Sequence, residues 1–202
     1  MPPVPTVPPV PPVPAPSSRR EQILATAAEL FAARGFHGVS VAELGAACGI
    51  SGPALYKHFP SKQAMLAEML TSISERLLAV GRERVAAASG PADAVRSLVD
   101  WHVEFALDHR PLIVVQDRDW ESLPADARAE VRRLQRAYID VWADQLCALR
   151  PDLTRDAGRA AAHAAFGLLN STPRAGHALP DTELRTLLAA MALAALGVPA
   201  AG

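Results

Sequence analysis

Cysteine is scarce in this chain: there are two, Cys48 and Cys147, far apart and each inside an apolar helical pattern. That argues against a disulfide framework or a zinc site and leaves both as small core residues. Aromatic residues make up only 5% of the sequence, and runs of Val, Ile and Thr are few, so strands are disfavoured and alanine-rich helices favoured. No apolar run approaches the roughly 20 residues that span a bilayer, so no membrane partner is expected. The N-terminus has no basic stretch followed by an apolar one, so it does not read as a signal peptide, and a cytoplasmic location is expected. Excess charge is also missing. A net charge of −1 excludes a protein that holds nucleic acid through its total charge.

What is present is helical. The 202 residues are half hydrophobic and one-fifth charged, as in an ordinary globular protein. Residues 1–16 alternate Pro with Val and little else, which fits a disordered or polyproline-II tail. Ser18 and Glu21 form a capping box, followed by Ile23, Ala27, Leu30 and Phe31 on one helical face and a stop at Gly35. Ser40 and Glu43 open a second helix that runs to Gly49, Ser51 caps a third with Pro53 in its first turn, and Ser61 caps a fourth. Helical periodicity continues from Pro91 to His109, after which a short apolar piece at Leu112–Val115 leads to Trp120. It resumes in a long stretch ending at Arg150-Pro151, and then in Arg155–Asn170 and Asp181–Leu196. The expectation is an all-α fold of about nine helices. A tail would occupy 1–16, a DNA-binding head 17–60, and a larger bundle 61–202.

Residues 39–66 carry the sharpest signal. Gly49 permits a tight turn between two short helices, Ile50 anchors it, and Leu55 and Phe59 point the second helix inward. Tyr56, Lys57 and His58 are then left outside, as in a helix-turn-helix that lays its second helix in the major groove. Gly52, Pro53 and Ala54 are small enough for close approach to base edges. Tyr56 and His58 can donate to phosphates or touch bases, and Lys57 and Lys62 can neutralise phosphates. The bland alternative is that Ser51 and Ser61 only cap, Tyr56 only packs and Lys57 is only solvated. Charge placement favours the first reading: from Ser17 to Lys62 five cations face three acids, so the remainder is acidic.

Ser18–Leu66 resembles the DNA-binding head of the TetR family of one-component bacterial regulators. The resemblance rests on Ile23–Phe31 with Gly35-Phe36, Ser40-Val41-Ala42-Glu43-Leu44, Ala47-Cys48-Gly49-Ile50-Ser51 and, above all, Leu55-Tyr56-Lys57-His58-Phe59-Pro60-Ser61-Lys62. Two departures are Gln63, where an acidic residue is frequent, and Gly45, which weakens the second helix. The resemblance implies a homodimer that binds a palindromic double-stranded DNA operator as a repressor and is released by a small molecule. By that likeness Ser40, Ser51, Gly52, Pro53, Ala54, Tyr56, Lys57, His58 and Lys62 lie at the DNA, and Arg19 and Arg20 reach phosphates or the adjacent minor groove.

In the body, the small-residue stretch Arg159–Gly167 and the alanine-rich Leu188–Leu196 allow helices to approach closely, either as core or as a four-helix dimer interface similar to that of the family. Polar and aromatic residues on otherwise apolar faces mark a ligand cavity: Trp101, His102, Phe105, Gln116, Asp117 and Trp120, then Tyr138, Trp142, His163, Phe166 and Asn170. The runs at 114–120 and 168–174 resemble regulators that sense acyl-CoA esters; another hydrophobic compound is the competing effector. No cofactor, metal or catalytic residue is expected. The rival classes are a small helical enzyme, for which His102 with Asp108 or Asp117 is the best available pair, and a DNA-independent interaction bundle.

Overall fold

The computed structural model describes residues 18–175 and 179–199. The proline-rich tail at 1–16 and His177 in the loop after residue 170 therefore lie outside the described residues. Among those described there are nine α-helices, one 3-10 turn and no strand: α1 Arg19–Arg34, α2 Val41–Ala47, α3 Gly52–Tyr56, α4 Lys62–Ala87, α5 Pro91–Asp108, α6 Arg110–Asp119, α7 Ala125–Leu149, α8 Arg155–Leu169 and α9 Asp181–Ala195.

The four serine caps form as their spacing predicts. Ser18 and Ser40 complete capping boxes with Glu21 and Glu43, and Ser51 and Ser61 accept from the backbone N–H of Ala54 and Ala64. Donors from Ser40, its side chain first and then its backbone, together with the Arg34 guanidinium, hold the Glu43 carboxyl down at about 2. Thr154 caps α8 in the same way.

Two boundaries differ from the sequence expectation. The second helix stops at Ala47 rather than Gly49, because Gly49 adopts φ +67° and turns the chain. His109-Arg110-Pro111 reads as a helix stop, but it also starts one. Pro111 occupies the first turn of α6, where its missing N–H costs nothing, so the apolar piece at 112–115 becomes the middle of a ten-residue helix.

Packing is continuous along the molecule. Ile23, Phe31, Phe36, Leu44, Leu55 and Phe59 form one apolar core with Met65, Leu66, Met69 and Leu70 of α4, and that core extends to Val115 of α6 and Val131 of α7. A second core joins α5, α7, α8 and α9 around Leu98, Trp142, Leu146, Leu169 and Leu188. The chain therefore shows no gap in packing at Phe59.

Gly45, which helix propensity marks as a weakness, is required by the turn. A Cβ there would lie 2.8 Å from the Ile50 carbonyl oxygen and 3.1 Å from the Gly52 nitrogen, so α2 and the start of α3 touch backbone to backbone. Gly45→Ala is expected to lower stability by about 1–3 kcal/mol in denaturant unfolding, whereas alanine at an ordinary exposed helix position would raise it.

Candidate DNA interface and ligand cavity

Helix α3 is held from behind and open in front. Leu55 and Phe59 are buried, Tyr56 is 53% exposed, Lys57 is exposed and His58 half-buried. Ser40, Ser51 and Pro53 are exposed and Gly52 and Ala54 half-buried, so the expected face exists as one surface around the turn.

The cations around it have unequal freedom. Arg19 donates to the Cys48 carbonyl, and Arg20 pairs with Glu68 (Nε to Oε1 2.5 Å), donates to the His58 carbonyl and lies 4.2 Å above the Phe59 ring. Both arginines therefore brace α1 against the turn and α4, and most of their donors are committed. Arg34 pairs with Glu43 at 2.7 Å.

Lys62 departs most from expectation. Its Nζ donates to the Phe36 and Val39 carbonyl oxygens at 2.6 and 2.7 Å and lies 4.4 Å from the Phe36 ring centroid, and burial pushes its pKa down. The loop between α1 and α2 leaves carbonyls bare, and the first residue of α4 satisfies them. The ammonium thus points into the protein and not outward with α3. Among the described residues of this segment, Lys57 alone of the cations has no internal ion pair or hydrogen bond.

A cavity of about 320 Å³ opens between α4, α5, α6, α7 and α8. Of the eleven residues proposed for ligand binding, eight line it: His102, Phe105, Gln116, Asp117, Tyr138, His163, Phe166 and Asn170. The three tryptophans do not line it. Trp142 is fully buried behind the wall, edge-on to Phe166 at 5.0 Å. Trp101 faces Arg76 and Arg84, and Trp120 packs with the first core under Arg132. Sequence reasoning missed the α4 wall of Ile73, Ser74 and Leu77, and also Leu112, Ile113, Gln135 and Ile139; their helical spacing is indistinguishable from that of core residues.

His102, Phe166 and Tyr138 form a ring stack, with centroids 4.6 Å apart for His102–Phe166 and 5.4 Å for Tyr138–Phe166. Burial lowers the His102 pKa to about 4 and raises that of Tyr138. His102 is therefore neutral at pH 7. Its Nε2 donates to Asn170 Oδ1 at 3.1 Å, and its Nδ1 faces the Tyr138 hydroxyl at 3.5 Å. No described hydrogen bond joins His102 to Asp108 or Asp117, so the pair an enzyme would need is not assembled. Among the described residues no group of His, Cys, Asp and Glu is placed to hold a metal.

Helix α6 belongs to both regions. Leu112, Ile113, Gln116 and Asp117 line the cavity. One residue further, Arg118 donates to the carbonyls of Phe31 and Ala32 at the end of α1, the latter at 3.0 Å. The buried Asp119 carboxylate accepts the Phe36 N–H at 3.2 Å. The 35–39 loop is thus held by α6 on one side and by Lys62 on the other.

Two family models match the chain: "Bacterial regulatory proteins, tetR family" over residues 23–69 and "Tetracyclin repressor-like, C-terminal domain" over 88–174, together about two-thirds of it. The HTH-type transcriptional repressor KstR2 of Mycolicibacterium smegmatis is 29% identical over 149 residues, 70% of this chain and 72% of that protein. A TetR-family transcriptional regulator from Bordetella parapertussis superposes with a TM-score of 0.77 at 28% identity, covering 88% of this chain and 95% of that one. The transcriptional regulator FadR of Bacillus subtilis, in complex with stearoyl-CoA, shares the fold with a TM-score of 0.68 at 13% identity over 86% and 97% of the two chains.

Proposed function

We propose, from the premise that this chain belongs to the tetR family of bacterial regulatory proteins, a division of labour for a ligand-responsive transcriptional repressor. The protein is a DNA-binding regulator and not an enzyme. In this reading residues 17–60 hold the operator and residues 61–202 hold the effector and a second copy of the chain, in the cytoplasm. Among the described residues no helix is long and apolar enough to cross a membrane.

The observation that carries the DNA reading is the face of α3. Tyr56 and Lys57 are exposed and uncommitted while the residues behind them are buried. Dimer symmetry would set two such faces on a palindrome about 35 Å apart or somewhat more.

The surface of α8 and α9 supports the homodimer. On α9 Leu187 is 45% and Met191 47% exposed, with exposed Ala190 and Ala194 alongside; α8 adds exposed Ala160, Ala164 and Gly167. Large apolar side chains in a field of small ones suit close helix pairing between two copies. The effector, an acyl-CoA or another hydrophobic compound, enters the cavity and acts through α6, which bridges that cavity and the 35–39 loop.

Sedimentation of the double variant Leu187→Glu, Met191→Glu tests the assembly: a monomer is expected, with binding to a palindromic duplex from its own upstream region about a hundredfold weaker than wild type. A variant that stays dimeric and binds normally would place the dimer face elsewhere.

A further inference from the structure

We infer that the cavity selects a neutral ligand, an apolar body ending in a carbonyl or hydroxyl oxygen that the amides of Gln116 and Gln135 receive, and rejects carboxylates. The inference rests on the reading of this cavity as the effector site.

Three observations carry it. First, the interior has no charge. The charged residues on its wall, Asp117 and Arg174, pair with each other at 3.3 Å and are 54% and 74% exposed, and the wall imidazole of His163 is exposed too, which puts all three at the rim. The buried imidazole, His102, is neutral, its Nε2 committed to Asn170. A carboxylate drawn inside would lose its hydration with no cation to replace it.

Second, the polar groups of the wall divide into committed and free. Ser74 gives its hydroxyl proton to the Leu70 carbonyl at 2.7 Å, and His102 is engaged by Asn170 and Tyr138. Gln116 on α6 and Gln135 on α7 are half-buried, line the cavity, and have no internal hydrogen bond among the described residues. A primary amide offers both a donor and an acceptor, and so suits a neutral oxygen that accepts, donates or does both. Around them Ile73, Leu77, Phe105 and Ile139 supply the apolar walls.

Third, the cavity is small. A volume of about 320 Å³ is at the lower end of ligand pockets. A free ketone or alcohol fits whole. Of a CoA thioester only the acyl chain and its neutral carbonyl can enter, leaving the charged nucleotide outside. The buried chemistry is the same in both cases.

Calorimetric titration of the full chain with 2-decanone, decanoate and decanoyl-CoA tests this, DNA being absent. The ketone is expected to bind about tenfold or more tightly than decanoate at pH 7. Gln135→Lys, which places a cation on the wall, is expected to reverse that order while its unfolding curve stays close to that of wild type. Decanoyl-CoA that competes with the ketone identifies the thioester as a source of the buried carbonyl; decanoyl-CoA that does not bind leaves free neutral compounds. Decanoate binding as well as the ketone, a ketone that does not bind, or an order that Gln135→Lys leaves unchanged would each overturn the inference. Because no operator is present, a cavity that binds the ketone without altering DNA affinity would leave the inference standing and remove the effector reading.

Discussion

Replacing Tyr56 and Lys57 together by alanine is expected to weaken operator binding by about a hundredfold or more, at roughly 1–3 kcal/mol for each side chain withdrawn from the DNA. Thermal unfolding of the same variant should remain within about 1 kcal/mol of wild type. The two halves follow from one geometry. Leu55 and Phe59 fasten α3 to the core, and neither is touched. Tyr56 is more than half exposed, and Lys57 has no internal partner, so alanine removes little packing and strands no buried group. The salt dependence of binding should also fall by about one phosphate's worth, because Lys57 is the uncommitted cation of the face. Lys62→Ala is expected to behave differently, since its ammonium holds the Phe36 and Val39 carbonyls. It should lower stability along with affinity.

Asp119→Ala is expected to lower stability by about 1–3 kcal/mol, the usual result of leaving a buried N–H, here that of Phe36, without its acceptor. The Asp119 carboxylate is 6% exposed, accepts the Phe36 N–H, and lies 3.2 Å from Arg118. Without it the loop behind α2 loses its anchor to α6. Arg118→Met leaves that anchor but removes the donors to Phe31 and Ala32 and the cation beside the buried Asp119 carboxylate, so it also costs stability. It should keep the fold and ligand affinity while reducing ligand-driven loss of operator affinity about tenfold, because α6 then moves without pulling on α1. Paired titrations of ligand and operator read both quantities. Undiminished coupling in Arg118→Met would leave the Asp119–Phe36 contact or α4 as the connection.

The readable parts of this molecule were those whose chemistry is local. A serine three residues before a glutamate, a glycine between two short helices, and Leu55 four positions before Phe59 each fix their geometry within one turn of chain. The misread parts depend on partners distant in sequence. Lys62 looks like a surface lysine until the loop carbonyls at 36 and 39 are known to lie against it. Gly45 looks like a weak helix residue until Ile50 is found against its α-carbon. Trp101, Trp120 and Trp142 share the character of His102 and Phe166, but periodicity gives only a helix face and not which of two cores or a cavity it meets. The apolar walls from α4 and α6 were silent for the same reason. Pro111 carried a local signal that pointed to a stop, because a proline that ends one helix is equally at home in the first turn of the next.

The central claim is that the void among α4–α8 controls the face of α3. Filling it without a ligand tests that claim most directly. Ile139 is 8% exposed on the cavity wall, so in Ile139→Trp the added ring extends into the void. Equilibrium binding of this variant to the operator duplex, at one salt concentration and beside wild type, is predicted to be about tenfold weaker or more, with a cooperative unfolding transition retained. A folded variant that binds the operator as tightly as wild type would contradict that claim.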